Sequence, residues 1–141
     1  MKVEGKCSWF GGPDDKGMSE TEPLAFIYEV SDQPVLFLEG STEALGRNLD
    51  PEVPYLAMRW DYDVTPRDYL LTHVALVEAN GRKMLAIPAD WGPHEDTGRV
   101  VDLSPVIMDH LGVETDDVVK VTFPAFGAEP LLANDFEPGV A

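Results

Sequence analysis

Two aspartates are placed where they could carry acid–base chemistry, because each comes directly after an apolar run. Asp90 follows the apolar residues 84–87 and precedes Trp91 and a Gly-Pro corner, and Asp102 follows two consecutive valines. A carboxylic acid whose pKa is raised by a partly apolar site can protonate a leaving group or deprotonate a nucleophile. We therefore predict that Asp90 and Asp102 are catalytic residues.

Both aspartates also have a structural interpretation. Asp102 stands just before Leu-Ser-Pro, where a carboxylate can accept backbone N–H groups at the start of a helix. Asp90 could serve as an acceptor within the Gly-Pro turn. The position of Asp90 between a core strand and a tight corner favours the catalytic interpretation, whereas for Asp102 the two interpretations balance.

Aromatic residues stand beside these acids and predict a binding surface. The three tryptophans all lie at predicted strand ends, where exposed rings could stack on the apolar faces of sugars while Asp and His side chains bond the hydroxyls. The alternative is that the rings fill the core. The predicted substrate-binding residues are Trp9, Trp60, Asp61, Trp91 and His94. Since no Cys/His spacing resembles a metal site, we expect neither a metal nor a cofactor.

The elements that position these residues are predominantly short strands. The chain has 141 residues with 12 Gly and 12 Pro, which favours one β-rich domain with many turns. Asn80-Gly81 lies between two apolar runs, as in a type I′ hairpin. Ser104 and Pro105 predict a helix start, and Gly112 predicts its end. Strands are predicted over residues 5–10, 24–30, 35–38, 55–60, 74–78, 83–87 and 118–123.

Composition excludes two classes of partner. The net charge is −16, from 26 acidic and 10 basic residues, and no basic stripe could neutralise nucleic-acid phosphates. No apolar run approaches the roughly 20 residues of a membrane span. The first residues also lack the apolar core of a signal peptide. We expect a chain that stays in the cytoplasm or in a particle assembled there, unless a leader has been removed. The single cysteine, Cys7, is expected in the core.

Six segments of the sequence, in chain order, carry a resemblance to a known fold: residues 7–11, 80–82, 89–93, 98–104, 111–112 and 118–121. They resemble segments of the double-psi β-barrel of the rare lipoprotein A family, and more distantly of barwin, the expansins and glycoside hydrolase family 45. The resemblance implies a mainly β fold: a six-stranded double-psi β-barrel over residues 1–124, with one short helix and a long loop-rich insertion over residues 12–54. Residues 125–141 then form an extended C-terminal tail.

The resemblance also implies a function. Rare lipoprotein A proteins of this type are lytic transglycosylases that cleave peptidoglycan, and expansins bind and loosen cell-wall polysaccharide. Asp90 matches the catalytic Asp of the family's Asn-Asp-Arg-Gly-Pro motif, and Asp102 matches the Asp of its Ile-Asp-Leu-Ser segment. The neighbours of Asp90 differ from the motif, since Ala89 replaces Asn and Trp91 replaces Arg. The family's His on the preceding strand has no counterpart near residues 58–60.

Two functional hypotheses follow. The first is a polysaccharide-cleaving barrel, similar to a peptidoglycan lytic transglycosylase, that uses Asp90 as general acid and base. The alternative is a non-catalytic glycan-binding or structural barrel, such as a component of a phage particle, that contacts other protein subunits through its C-terminal tail. The missing His favours the alternative, and the retention of both Asp90 and Asp102 favours the enzyme.

Overall fold

The computed structural model describes residues 2–26, 28–59 and 72–123. Within them the regular elements are strands β1 to β6 and helix α1, with short 3-10 turns at Pro34–Leu36, Gly46–Asn48 and Glu95–Thr97. The strands and helix are β1 (Lys2–Trp9), β2 (Tyr55–Met58), β3 (Ala75–Ala79), β4 (Arg82–Asp90), β5 (Arg99–Leu103), α1 (Pro105–Leu111) and β6 (Val118–Thr122).

The six described strands close into a barrel in the order β1-β5-β2-β4-β3-β6. The pairs β1/β5 and β2/β4 are parallel, and the other four pairs are antiparallel. Parallel neighbours need long crossover connections, so the barrel is not a simple meander. The predicted mainly β fold with a closed barrel of six strands and a short helix is confirmed, and its topology is compatible with a double-psi barrel.

The local turn and cap signals are also confirmed. Asn80 and Gly81 have φ angles of 54° and 73°, the left-handed values that a type I′ hairpin requires. Helix α1 begins at Pro105, and it ends at Gly112 with φ 66°. Ser104 occupies the N-cap position, but its hydroxyl accepts the Tyr55 N–H at 3.1 Å instead of a helix N–H. This bond joins the start of the helix to the start of β2.

Two strand predictions in the insertion are wrong. In the first of these predicted strands, 24–30, the described residues form no strand. The second, 35–38, overlaps the 3-10 turn Pro34–Leu36 instead. Isolated bridges join Pro23 to Leu45 and Phe37 to Leu49. The apolar residues of these segments are buried by tertiary packing against the barrel, which hydrophobicity alone does not distinguish from burial in a sheet.

Two apolar clusters stabilise this arrangement. The first fills the barrel with residues from all six described strands and is closed at one end by Ile107, Met108 and Leu111 of α1. Cys7 belongs to it and is fully buried, as predicted, and burial is the main cause that raises its pKa to about 11. The second cluster lies between the insertion and the outer face of β2 and β4.

In the described part of the chain, no helix has the length and apolar character needed to cross a membrane.

Candidate functional site

A groove of about 300 Å³ lies on the outer face of the barrel, beside the second cluster. We call it the acid groove. Its walls come from the end of β1, the insertion, β2, the segment after β4, and β5. The residues that give it chemical character are Trp9, Asp15, Asp90, Trp91, His94 and Asp102.

Strand register brings the two predicted catalytic residues together. Ala57 of β2 pairs with Asp90 of parallel β4 on one side and with Asp102 of antiparallel β5 on the other. Because neighbouring strands are about 4.8 Å apart, the two aspartate Cα atoms are separated by about 10 Å across Ala57. The β2/β4 register shifts next to Ala57 and leaves Ala89 without a partner, as in a bulge that re-aims the following side chain. Both aspartates therefore share the face that carries Ala57.

Asp90 is anchored by backbone groups through one of its oxygens. Its Oδ1 atom accepts the Ala25 N–H at 2.7 Å and the Trp91 N–H at 2.9 Å. Burial raises the pKa of Asp90 above its ordinary value, the two N–H groups act in the opposite direction, and the charge of Glu22 raises it further. Asp90 thus accepts a backbone N–H of the turn that follows it, as the structural interpretation of the sequence predicted. It also lines the groove.

Asp102 is in a different environment. Burial is the largest cause that raises its pKa to about 6, the Arg99 guanidinium lowers it, and the charges of Asp90 and Asp15 raise it again. Across the described residues, no hydrogen bond reaches the Asp102 carboxylate. The predicted alternative, in which Asp102 accepts N–H groups at the start of the helix, is therefore wrong. A half-buried carboxyl group with such a pKa is protonated in a substantial fraction of molecules near pH 6.

The described aromatic residues lie at the edge of the groove. Trp9 and Trp91 are 41% and 40% exposed, so neither ring is part of the core. His94 is exposed, and its ring centroid is 6.4 Å from that of Trp91 in an edge-on arrangement. Its Nδ1 atom accepts the Asp96 N–H at 3.2 Å. Both tryptophans therefore border the groove with part of their surface exposed to solvent.

Sequence reasoning missed the contribution of the insertion to this site. Asp15 is buried and accepts the Gly11 N–H at 2.8 Å and the Gly17 N–H at 3.0 Å, which closes a turn beside the groove. Gly11 has φ 85°, and a Cβ there would lie 2.5 Å from the Tyr55 hydroxyl oxygen. Residues 11–15 read Gly-Gly-Pro-Asp-Asp, a composition typical of a turn, but no sequence signal places that turn, or the Ala25 N–H, beside Asp90.

Two predicted site residues, Trp60 and Asp61, lie outside the described residues, as does the tail 125–141. Arg59 precedes them and is half-buried, and its Nη1 atom is buried without a hydrogen-bond partner among the described residues. Among the residues that the structure describes, no cluster of three or more His, Cys, Asp or Glu side chains could hold a metal ion.

Comparison with known proteins adds no assignment to this geometry. Neither a scan against protein-family models nor a search of curated proteins found a match to the chain.

Proposed function

We propose that the acid groove binds a polysaccharide and cleaves its glycosidic bonds, in a barrel of the rare lipoprotein A type with peptidoglycan as substrate. The observation that carries the proposal is the placement of Asp90 and Asp102 on either side of Ala57, in one groove with two exposed tryptophans. General acid–base cleavage of a glycosidic bond needs a proton donor and a proton acceptor, which two carboxyl groups can share, and exposed aromatic rings can stack on the apolar faces of sugars.

Asp102 is the proposed general acid. Its carboxyl group has a pKa of about 6 and, among the described residues, accepts no hydrogen bond that would stabilise the anion, so it is protonated in a substantial fraction of molecules near pH 6. In the proposed step this proton passes to the glycosidic oxygen as the bond from that oxygen to the anomeric carbon breaks. The negative charges of Asp90 and Asp15 favour the protonated form before the reaction.

Asp90 is the proposed general base. The two backbone N–H groups on Oδ1 favour its ionised form and fix the position of the carboxylate. In a lytic transglycosylase reaction it takes the proton of the muramic 6-hydroxyl while that oxygen bonds to the anomeric carbon, which gives a 1,6-anhydro product. In a hydrolase reaction a water molecule replaces the hydroxyl. The sequence-based hypothesis gave both proton transfers to Asp90, and the two environments support dividing them.

The test is digestion of purified peptidoglycan sacculi with chromatography of the soluble products. We expect 1,6-anhydro muropeptides from the unmodified protein, and a loss of about 10²-fold or more in rate for Asp102→Asn and for Asp90→Asn. Asp32→Asn is the matched control, since Asp32 is an exposed aspartate outside the groove and should leave the rate unchanged. The absence of any soluble product after long incubation would contradict cleavage.

A specific observation favours the alternative, a barrel that binds glycan without cleaving it. One oxygen of the Asp90 carboxylate accepts two backbone N–H groups. An aspartate that only stabilises the local fold would make the same hydrogen bonds. In that case the protein co-sediments with sacculi and releases nothing, and Trp91→Ala weakens the sedimentation while Asp102→Asn does not. A structural role in a phage particle, with contacts through residues 125–141, predicts instead that the protein neither cleaves nor binds sacculi.

A further inference from the structure

A second, larger cavity of about 560 Å³ lies beside α1, and neither predicted catalytic residue lines it. We call it the helix cleft. Its walls are the turn after β1, residues 51–52, the first residues of α1, and the segment that follows α1. Trp9 lines both the helix cleft and the acid groove, so the two are neighbours separated by this exposed ring. Apart from Trp9, the function proposed for the acid groove uses no residue of the helix cleft.

The floor of the helix cleft is formed by apolar side chains. Its apolar residues are Trp9, Pro13, Pro51, Pro105, Met108 and Val113. Proline has no N–H to donate, so this part of the surface offers few hydrogen bonds. Such a floor accommodates an aliphatic side chain, as small-ligand and peptide pockets do.

Four exposed carboxylates surround this apolar surface: Asp14, Glu52, Asp109 and Glu114. No Lys or Arg lines the cavity, and within the described segments none of the four side chains forms an ion pair or accepts a hydrogen bond. The cleft therefore presents uncompensated negative charge around an apolar floor. A ligand with positive groups flanking an apolar group complements it in both respects.

From this complementarity we propose that the helix cleft is a docking site for a basic peptide segment of another protein, with Lys or Arg side chains on either side of an aliphatic residue. The chain itself does not supply such a segment. It has 10 basic residues against 26 acidic ones, and its tail contains Glu129, Asp135 and Glu137 and no Lys or Arg. A second copy, which also carries a net charge of −16, would be repelled.

The test is fluorescence anisotropy of three labelled probe peptides with the full chain at about 0.15 M salt. The first peptide alternates lysine and leucine, the second is oligolysine of equal charge, and the third replaces each lysine of the first with glutamate. We expect saturable binding of the lysine–leucine peptide, about tenfold weaker binding of oligolysine, and none of the glutamate peptide. Equal binding of the first two peptides would overturn the proposal, because it would show attraction by net charge alone.

Matched variants locate the binding. The triple variant Glu52→Gln, Asp109→Asn, Glu114→Gln removes three charges from the cleft and should weaken binding about tenfold, as expected for three partly exposed ion pairs. The control Glu29→Gln, Asp32→Asn, Glu43→Gln removes three exposed charges that line neither cavity. An equal loss in both variants would contradict a site at the cleft. Circular dichroism of both variants verifies that the barrel remains folded.

Discussion

At the scale of single residues, the pKa values of Asp102 and Asp116 are shifted in opposite directions by their environments. Burial holds the pKa of Asp102 at about 6, above the ordinary 3.8, whereas the hydrogen bonds from Arg99 hold the pKa of exposed Asp116 below it. The Arg99 Nε to Asp116 Oδ1 distance is 2.9 Å. A raised carboxyl pKa means that ionisation opposes folding, and a lowered one means that ionisation favours it. The ionised form of Asp102 thus destabilises the fold at neutral pH.

The first prediction is that Asp102→Asn stabilises the protein at neutral pH. Between about pH 4 and pH 6 the folded protein keeps a proton on Asp102 that the unfolded chain has lost, so stability falls as pH rises through this window. The gain from the substitution should be small near pH 3.5 and should reach on the order of 1–3 kcal/mol above pH 7. Urea denaturation at both pH values measures it.

Asp116→Asn provides the matched control, because the sign of its effect is reversed. The ion pair with Arg99 contributes stability that is present above the ordinary pKa of Asp116 and is lost as pH falls through the lowered folded value. The substitution should therefore slightly destabilise the protein at pH 7 and have no effect in strong acid. A loss of stability at pH 7 for Asp102→Asn as well would contradict the assigned environment of Asp102.

At the scale of elements, the β3–β4 hairpin and α1 are joined through one turn residue. The Asn80 Nδ2 group donates to the carbonyl of Leu111 at 2.8 Å and to that of Gly112 at 3.2 Å. Arg82 adds a bond from Nη1 to the His110 carbonyl at 3.0 Å. These carbonyls are at the end of α1, where helix geometry leaves them without intrahelical partners. The hairpin turn therefore caps the C-terminus of the helix.

The second prediction separates the two roles of this turn. Gly81→Ala should cost about 1 kcal/mol, because φ 73° strains a residue with a Cβ although no atom lies within 4 Å of that Cβ. Asn80→Gly keeps the left-handed conformation and removes only the helix cap, at a cost of roughly 0.5–1.5 kcal/mol. Amide hydrogen exchange near Gly112 should accelerate more in Asn80→Gly than in Gly81→Ala. Equal acceleration would contradict the capping role.

The same elements show which parts of the fold sequence could predict. Asn80-Gly81 and the Ser104, Pro105, Gly112 pattern specify backbone angles locally, and the structure has those angles. The insertion is different, because Leu24 and Phe26 pack in a cluster with residues that are distant in sequence, such as Tyr55. Their apolar character therefore reflects tertiary packing and not a strand. The same limit applies to the site. Asp90 and Asp102 were found from their position after apolar runs, whereas Asp15 and the Ala25 N–H reach the groove through contacts that no local pattern encodes.

The third prediction concerns the anchoring of the insertion next to Asp90. The Tyr28 hydroxyl donates to the Pro88 carbonyl at 2.6 Å, three residues from the Ala25 N–H that bonds Asp90. Tyr28→Phe should cost roughly 1–2 kcal/mol and should accelerate hydrogen exchange of the Ala25 amide.

Tyr55→Phe is the control for this third prediction. It removes another buried hydroxyl of the same cluster, which donates to the Phe10 carbonyl at 2.8 Å. It should lower global stability without a selective effect on Ala25. Unchanged exchange at Ala25 in Tyr28→Phe would show that other contacts hold the insertion in place.

At the scale of the whole molecule, negative charge is the dominant electrostatic property. The net charge is −16, and the described residues contain three ion pairs, one of which depends on protonation of His94. Both cavities add to this imbalance, since carboxylates line each of them and no Lys or Arg of the described segments does. The folded state brings these charges closer together than the unfolded chain does, so self-repulsion opposes folding. The same field disfavours anionic ligands at either cavity.

The last prediction follows from this repulsion. Raising NaCl from about 10 mM to about 300 mM shortens the screening length from roughly 30 Å to 6 Å, so the Tm should rise by a few degrees at pH 7. The rise should level off as screening is completed, whereas a preferential-exclusion effect would keep growing at molar salt. At about pH 4.5, where many carboxylates are partly protonated, the increase should be smaller. Differential scanning calorimetry at both pH values measures the change in Tm. A Tm that falls with added salt would mean that the few ion pairs outweigh the repulsion among the acidic side chains.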